Sequence, residues 1–477
     1  MTDLNIGSLS KALTKTLMHN VNSVERCSFF LFGTVISVSP LLIGAVLPIV
    51  WQILALIIAV VLCLQRNTLF EISRPMRRFL VPAAILFALV LCWVLIQIFP
   101  WTPQFLHAGL WDEASTALDQ PLQGSIAVDG SAALIYLLRL LLYASTFYLA
   151  LVFASEPRRA EQCLKIVAIS GVIYAAYGLL IYWTGNKYVL WFPKWAYQND
   201  LTGPFVNRNH FATYLDLCLL ALLCLIFQQF EKLDIRTASW RLQFAGFVEF
   251  MSRRILSIGG VFLLATALLL THSRGGFLSL AAGTLALVIA IALSPSLRRV
   301  RYLYWTLVPF LMTTVAVVIS GGITITRLFE TDLQAEERLS VYRSVLDAIY
   351  DFWSRGSGLG SYGSVFPIYR TAAVPNYYDY AHNEYLQNIL ELGVPGAACL
   401  FAALGCLVAI CIVGIRTRRR RGIFPCLGIA ASVAVAVHSA LDFSLEIPAV
   451  TLTYVYLLGI AVAQSVPSRK IEERKPL

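Results

Sequence analysis

Charge is scarce in this chain of 477 residues. Only 13% of the residues are Asp, Glu, Lys or Arg, 58% are hydrophobic, and the mean hydropathy is +0.71. A water-soluble domain of this size keeps far more charge on its surface, so the composition excludes a soluble globular protein. It predicts an all-α polytopic membrane protein that forms a single transmembrane domain over residues 1–477.

Three further absences narrow the kind of membrane protein that this chain can be. No small-residue cleavage site follows the first apolar run, which we therefore interpret as a retained membrane span and not as a signal peptide. None of the ten cysteines falls in a predicted outer loop, so neither a disulfide nor a thiolate metal site is indicated there. No similarity between the two halves is visible, which disfavours a secondary transporter or flippase for a lipid-linked anionic substrate, the alternative from another functional class.

Long apolar runs recur from end to end. They are roughly 17 to 22 residues long, the length that crosses a hydrocarbon core about 30 Å thick. Because every backbone amide must be hydrogen-bonded inside lipid, such runs form helices. We predict about twelve transmembrane helices, near residues 27–46, 48–65, 79–98, 132–154, 164–184, 209–228, 255–271, 276–294, 304–321, 385–414, 423–443 and 449–466.

The positions of Lys and Arg indicate how the protein is oriented in the membrane. Most of these 37 residues fall in alternate connections between the spans, beginning with the amino-terminal segment. Because cytoplasmic loops retain positive charge during insertion, we predict a bacterial inner-membrane protein with both termini in the cytoplasm. The net charge of +10 is then mostly a topology signal and implies no nucleic-acid partner. The basic residues left outside the cytoplasm are Arg139, within a span, and Lys187, Lys194, Arg208, Arg274, Arg327, Arg338, Arg343, Arg355 and Arg370.

Three outer loops are long: residues 99–131, 185–208 and 322–383. The third, between the ninth and tenth spans, is a large periplasmic loop and the only one that we expect to have secondary structure of its own. Within it, the spacing of apolar residues predicts an amphipathic helix over Glu337 to Trp353. Its apolar face would carry Leu339, Tyr342, Val345, Leu346 and Ile349, and its polar face Arg338, Arg343 and Asp347.

Histidines and arginines meet at the outer ends of the spans. Segments 207–210 and 272–276 each contain a histidine and an arginine, and segment 381–384 contains His382. Arginine presents a rigid fork of donors that keeps its charge, so two or three arginines at the membrane mouth are suited to clamp a diphosphate. The competing interpretation is that each arginine reaches lipid headgroups and each histidine only caps a span.

His382 is the candidate general base, because its unperturbed pKa is near neutrality and it ends the long polar loop. Glu384 or another outer acid is expected to orient its ring. Arg139 is expected either to reach outward to the diphosphate headgroup that the other arginines would clamp, or to pair with an acid such as Asp216.

Two other pairs of residues carry weaker signals. His438 and Asp442 are four residues apart, which predicts a structural pairing of imidazole and carboxylate. Asp112 and Glu113 are a weak candidate for a divalent metal, and the histidines lack the close spacing of metal ligands. We therefore predict no metal site.

Three strings in the sequence are similar to those of a known family. His382-Asn383, followed by nine residues and then Gly393-Val394-Pro395-Gly396, resembles the signature that ends the large periplasmic loop of the O-antigen ligase and polysaccharide polymerase superfamily. Residues 205–212 and 272–276 resemble outer motifs of the same family and occur in the same order. The resemblance covers about residues 200–450 and implies a membrane-embedded glycosyltransferase of the GT-C-like type.

The resemblance also implies an activity. Such an enzyme transfers a glycan from undecaprenyl diphosphate to an acceptor hydroxyl on the periplasmic face, without a metal or other cofactor and with inversion of the anomeric centre. His382 would be the catalytic base, and Arg208 and Arg274 would bind the donor diphosphate. Further positive charge is expected from Arg338, Arg343 and Arg139, and supporting contacts from Asn207, His210, His272, Asn383 and Glu384.

Members of this family differ in the acceptor that they use. A ligase uses the sugar core of lipid A, a polymerase the growing lipid-linked glycan, and a protein oligosaccharyltransferase a Ser or Thr side chain. Protein-directed relatives often carry extra outer domains, whereas this sequence ends in a short basic tail. We therefore predict a ligase, with a polymerase as the nearly equal alternative.

Overall fold

The computed structural model describes residues 23–65, 73–230, 254–297 and 333–466, which are mostly helical. Among these residues, eight helices are long and apolar enough to cross a membrane, and three shorter apolar helices accompany them. The chain is therefore a membrane protein. The helices are α1 (Ser23–Leu41), α2 (Pro48–Leu64), α3 (Arg74–Ile98), α4 (Leu110–Leu118), α5 (Gly130–Phe153), α6 (Pro157–Trp183), α7 (Arg208–Phe230), α8 (Ile255–Leu270), α9 (Arg274–Leu293), α10 (Leu333–Phe352), α11 (Tyr362–Tyr369), α12 (Glu384–Thr417), α13 (Ile423–Ser439) and α14 (Pro448–Ser465).

A helix occupies the position of each predicted span that falls within the described ranges. The ninth predicted span, 304–321, lies outside the described residues, so the total of twelve stays a prediction. The large loop is partly helical as expected, because α10 and α11 lie within it. Its first part, residues 322–332, also lies outside the described residues.

The centre of the bundle is formed by α7 and α14. Every residue of α14 is buried, and 94% of the apolar window of α7 is buried, compared with 17% for α3 at the periphery. A helix that is apolar on all sides can be surrounded by protein without leaving a polar face unpaired. α14 packs against α5 and α13, and α13 packs closely against α9. The ends of these central helices are therefore held by neighbours on several sides.

The long connections meet on one side of the bundle, here called the loop face. Backbone hydrogen bonds join residue 127 to Gln97, residue 128 to Ser357, and residue 201 to Leu270. One expectation for these loops was wrong. The first loop contains helix α4, and the second contains a two-stranded hairpin of β1 (Tyr188–Val189) and β2 (Phe192–Pro193), so the third is not the only loop with secondary structure.

Helix α12 is sharply bent at Gly393, whose φ of 71° lies in the left-handed region. Pro395 has no amide hydrogen to donate to the carbonyl of Glu391. The side chains of Gln97 and Trp93 donate to the carbonyls of Glu391 and Leu392, respectively, at 2.9 Å. A Cβ on Gly393 would lie 2.9 Å from the amide nitrogen of Gly356, so the close approach also requires glycine. This bend anchors the carboxyl-terminal end of α10 against α12.

The amphipathic helix predicted over residues 337–353 is present as part of α10, but its buried face was partly misassigned. Val345 is fully buried as expected, together with Val341 and Ala348. Leu339 and Leu346 are instead 53% and 51% exposed. The small side chains allow α10 to approach α12 closely, which turns the two leucines outward.

Candidate active site

Residues 440–447, which connect α13 to α14 on the loop face, are here called the hub loop. The predicted segments 207–210 and 381–384 contact this loop through side chains, and segment 272–276 reaches it through Asn209. Sequence reasoning did not identify the hub loop as the centre of the site. The available signal was the polar string Asp442, Ser444 and Glu446 between two apolar helices.

His382 and Asp442 form the closest pair of titratable groups at the hub loop. The ring nitrogen Nδ1 of His382 lies 2.9 Å from Oδ1 of Asp442. The backbone of His382 has a φ of 51°, and the Tyr342 hydroxyl donates to its carbonyl at 2.8 Å, which fixes this unusual conformation. Within the described residues, Nε2 of His382 has no hydrogen-bond partner. The arrangement leaves Nε2 available to accept a proton from a bound hydroxyl.

Asp442 is the outer acid that orients His382, a role for which Glu384 was considered. Its second oxygen accepts from the side-chain amide of Asn209. Burial by itself raises the pKa of the Asp442 carboxyl, but the hydrogen bond and charge of His382 outweigh burial and hold this pKa well below its usual range. Asp442 therefore stays ionised and can stabilise a positively charged imidazole.

Asn209 links this pair to the Ser-Arg-Gly-Gly string. Ser273 Oγ donates to the side-chain oxygen of Asn209 at 2.7 Å, and it also caps α9 by accepting from Gly276 N. A Cβ on Gly276 would lie 2.6 Å from the Cβ of Ala212, and one on Gly275 would lie 3.3 Å from Nε2 of His438. The two glycines thus permit the close approach of the start of α9, where Arg274 lies, to α7 and α13.

Arg208 lies at the first position of α7 and is already paired with an acid. Its Nη1 donates to Oδ2 of Asp200 at 2.7 Å, and its guanidinium lies over the Tyr197 ring at 5.5 Å. The other oxygen of Asp200 lies 2.8 Å from Nδ1 of His272. The Asp200 carboxylate thus binds both Arg208 and His272, two of the predicted site residues. Asp200 was not singled out in the sequence analysis.

Lys194, one of the basic residues outside the predicted cytoplasmic segments, bonds within its own loop. Its Nζ is buried and donates to the side-chain oxygen of Asn186 at 3.0 Å and to the carbonyl of Asp200 at 2.6 Å. Burial lowers the pKa of Lys194 to about 8. Its contacts are those of a residue that closes the second loop, and not of one facing a ligand.

Asn383 and Glu384 fasten the start of α12 to the hub loop. The side-chain oxygen of Asn383 accepts from Tyr385 N and Leu386 N at 3.1 Å, and its amide donates to the carbonyl of Ala440. Glu384 accepts from Ser439 Oγ at 2.6 Å and from Leu445 N at 2.5 Å. These bonds determine the position of His382, which immediately precedes Asn383.

Asn383→Ala is expected to destabilise the protein by about 1 to 2 kcal/mol, because it removes a helix cap and a bond to the hub loop. Thermal unfolding of the detergent-purified protein measures the effect. Asn376→Ala is the matched control, since Asn376 bonds Glu337 through an exposed side chain. Equal melting temperatures for the two variants would show that the cap does not stabilise the site.

The remaining predicted arginines differ in their surroundings. Arg338 on α10 donates to the carbonyl of Leu441 in the hub loop at 3.4 Å. Arg274 is exposed at the first position of α9. Arg343 is also exposed, and it makes no hydrogen bond or ion pair to the residues that the structure describes. The structure therefore brings Arg338 to the hub loop but not Arg343.

Arg139 is 9% exposed and faces Glu446 of the hub loop, with 4.0 Å between Nη1 and Oε2. The expected alternative pairing with Asp216 is wrong, because Asp216 accepts from Ser279 Oγ at 2.5 Å. The guanidinium lies over the rings of Trp51 and Tyr136. Arg139 thus belongs to the site although it lies inside a span.

His210 and His438 both contact residues of the hub loop. The ring of His210 contacts Phe443 edge to face, with 4.6 Å between centroids, as does the ring of His382 at 4.7 Å. His438 Nδ1 lies 3.0 Å from Ser444 Oγ, so the expected pairing of its side chain with Asp442 is wrong. Asn207 accepts from the amide of Asn209 at 2.8 Å and so supports the start of α7.

No group of three or more His, Cys, Asp and Glu side chains that could hold a metal ion occurs within the described ranges. Asp112 and Glu113 lie in the first turn of α4, in the first long loop. Neither has a described contact with the hub loop.

The chain is similar to a known protein family over part of its length. A family model described as O-antigen ligase matches residues 259–401, which confirms the resemblance drawn from the motifs over a shorter range than 200–450. A search of curated proteins found no match. The matched range contains His272, Arg274, Arg338 and His382, whereas Arg208 and the hub loop lie outside it.

Proposed function

Since the chain contains a domain of the O-antigen ligase family, we propose that it transfers a glycan from undecaprenyl diphosphate to an acceptor hydroxyl. The observation that carries this proposal is the His382–Asp442 pair. Arg338 donates to the neighbouring carbonyl of Leu441. Asn209, which binds Asp442, directly follows Arg208 and is bonded to Ser273, the residue before Arg274. A base with one free ring nitrogen and several fixed positive charges are the groups that this reaction needs.

In the proposed reaction, Nε2 of His382 takes the proton of the acceptor hydroxyl. The acceptor oxygen attacks the anomeric carbon, and the bond from that carbon to the diphosphate breaks, with its electron pair going to the diphosphate oxygen. Attack from the opposite side inverts the anomeric centre. Asp442 stabilises the imidazolium that forms, as carboxylates do beside catalytic histidines.

The arginines are proposed to stabilise the leaving diphosphate. Arg274 is exposed at a helix amino terminus, where backbone amides also favour an anion. Arg208 is held by Asp200 and Tyr197, so its orientation is fixed before the donor binds. Arg338 and Arg139 supply charge from two other directions, while exposed Arg343 contributes less. Fixed guanidinium groups can perform this role without a metal ion.

We place the loop face in the periplasm and the protein in the bacterial inner membrane, with both termini in the cytoplasm. The support is the distribution of Lys and Arg in the sequence. Together with the span that we predict over 304–321, the helices would then number about twelve, in an arrangement of the GT-C-like type.

The decisive experiment incubates the purified protein with a lipid-linked glycan donor and each acceptor in turn. A single addition to lipid A core indicates the ligase that we propose, and a ladder of glycan lengths indicates a polymerase. Labelling of Ser or Thr in an added protein indicates an oligosaccharyltransferase. Transport of the donor across a vesicle membrane without any transfer would contradict the enzyme class itself.

Metal independence gives a separate prediction. Transfer is expected to keep its rate, within about twofold, when EDTA replaces added divalent cations, because guanidinium groups neutralise the leaving diphosphate. The measurement is the initial rate of transfer with and without chelator. Strong inhibition by EDTA that is reversed by a divalent cation would contradict this prediction and direct attention to Asp112 and Glu113.

A further inference from the structure

The hairpin formed by β1 and β2 exposes a group of aromatic side chains, here called the aromatic surface. Its members are Tyr188, Trp191, Phe192 and the following Trp195, which are 52%, 66%, 38% and 63% exposed, respectively. The rings of Trp191 and Phe192 contact each other, with 5.6 Å between centroids. Large exposed aromatic side chains that lie together mark a surface that interacts with a partner.

Helix α6, which leads into the hairpin, shows where lipid lies. Its residues 166–183 carry no charge and are about 27 Å long at about 1.5 Å per residue, close to a hydrocarbon core about 30 Å thick. The large exposed apolar side chains of this stretch lie on one side of the helix, which therefore faces lipid. They are those of Ile169, Ile173, Leu180 and Trp183. Trp183 ends the helix, where tryptophan commonly marks the boundary between hydrocarbon and headgroups.

The turn of the hairpin is bonded to the side of α6 and not to its end. The backbone amide of Leu190, between the two strands, donates to the hydroxyl of Tyr177 at 2.8 Å. Tyr177 precedes Trp183 by six residues, which is about 9 Å along the helix axis. Interfacial segments bury their apolar side to a depth of about 5 to 10 Å. The chain therefore folds back after α6 to the depth of such a segment.

The polar groups of the hairpin are bonded to protein. The backbone amide of Lys194 donates to the carbonyl of Lys187 at 2.9 Å. The buried Nζ of Lys194 and the side-chain amide of Asn186 both donate to the carbonyl of Asp200, at 2.6 and 2.9 Å. At the turn, the Tyr177 hydroxyl supplies the partner that a backbone amide lacks in lipid. The hairpin thus combines satisfied polar groups with an exposed aromatic surface, as a segment at a membrane boundary requires.

We propose that the hairpin is an interfacial anchor, whose aromatic surface inserts into the lipid leaflet on the loop-face side. Bilayer lipid is the occupant because the aromatic surface continues the lipid-facing side of α6, to which Leu190 is bonded. An indole has an apolar body and a polar N–H, which suits the boundary between hydrocarbon and headgroups. Exposed Lys187, at the start of the hairpin, is suited to reach the lipid phosphates.

The anchor would fix the height of the candidate active site relative to the membrane. Asp200, to which the base of the hairpin is bonded, accepts from Arg208 and lies 2.8 Å from Nδ1 of His272. Lipid bound to the aromatic surface therefore holds the loop that aligns these two groups. This role goes beyond the proposed function and does not require it.

Fluorescence quenching tests the position of Trp191. The chain has ten tryptophans, so the emission of Trp191 is obtained as the difference between the full-length protein and its Trp191→Phe variant. Both are placed in nanodiscs of phosphatidylcholine, with or without bromine on the acyl chains. We expect brominated lipid to remove most of the Trp191 emission and iodide in the water to remove little of it. Trp191 emission that brominated lipid does not quench would overturn the proposal.

Tyr377→Trp in the Trp191→Phe background is the matched control. Tyr377 is 64% exposed, nearly the same fraction as Trp191, but it lies in the third loop beside Asn376, which bonds Glu337 of α10. The introduced indole should be quenched by iodide and not by brominated lipid. Equal quenching of the two indoles by brominated lipid, or by iodide, would overturn the assignment of the anchor to the hairpin.

Tyr177→Phe tests the bond that holds the turn. The substitution leaves the Leu190 amide without its partner, so the turn should move towards water. Quenching of the Trp191 emission by brominated lipid should then fall, and quenching by iodide should rise. Tyr182→Phe is the control on the same helix, since Tyr182 has no described bond to the hairpin, and it should keep the original quenching. Unchanged quenching in Tyr177→Phe would overturn the assignment of the depth of the hairpin to this bond.

Discussion

His382→Ala is expected to lower the rate of glycan transfer by about 10²- to 10⁴-fold, the usual contribution of a general base. The substitution removes the ring nitrogen that is free to accept the acceptor proton, while the bonds of Asn383 and Glu384 to the hub loop can remain. The initial rate of transfer by purified protein, at saturating donor and acceptor, measures this effect.

His107→Ala is the control for that experiment. His107 bonds Thr102 within the first long loop and has no described contact with the hub loop, so its loss should leave the rate within about twofold. Donor binding by His382→Ala should also be kept, since the arginines are untouched. Wild-type transfer by His382→Ala would show that another group, or none, acts as the base.

Asp442→Asn is expected to reduce the rate of transfer by about 10²-fold or more, with little change in the size of the side chain. An amide can donate its own proton to Nδ1 of His382, which places the ring proton on Nε2, where the acceptor hydroxyl must be deprotonated. The amide also cannot stabilise the imidazolium. The effect should appear in kcat, because the arginines that we propose to bind the donor are unchanged.

The pH dependence of stability distinguishes this role from simple packing. The pKa of Asp442 is lower in the folded protein than in an unfolded chain, so its ionised form stabilises the fold at pH values above the usual carboxyl range. This stabilisation is lost as the pH falls through the folded pKa. Asp442→Asn should weaken the acid dependence of the melting temperature, and Asp112→Asn, in exposed helix α4, should not. If the melting temperatures of the wild-type protein and of both variants fell equally at acid pH, the His382–Asp442 pair would not stabilise the fold.

The positions of the helices were largely predictable, because a membrane span has to be long and apolar whatever its neighbours are. Each described predicted span has a helix, with the largest shift of a boundary at the start of α6. The buried face of α10 was less predictable. Its outward Leu339 and Leu346 follow from the small residues that α12 requires for close packing, and a periodic pattern contains no information about the partner helix.

The candidate site was predictable in its residue types and not in its pairings. His382, Arg208 and Arg274 were identified because histidine and arginine are costly near lipid and therefore conspicuous in an apolar sequence. The acidic partners of the site residues were missed or misassigned. These partners are Asp200 for Arg208, Glu446 for Arg139, and Asp442 for His382. His382 and Asp442 are 60 residues apart in the chain, so no local spacing relates them.

By itself, the sequence determined that this chain lies in a membrane, where its helices lie, which family it resembles and which polar side chains are available for chemistry. These properties depend on composition and on short strings. Only the tertiary structure decided that residues 440–447 are the centre on which those side chains meet. This depends on how α12, α13 and α14 pack together, and the contacts between helices distant in sequence are fixed by packing, which no single segment encodes.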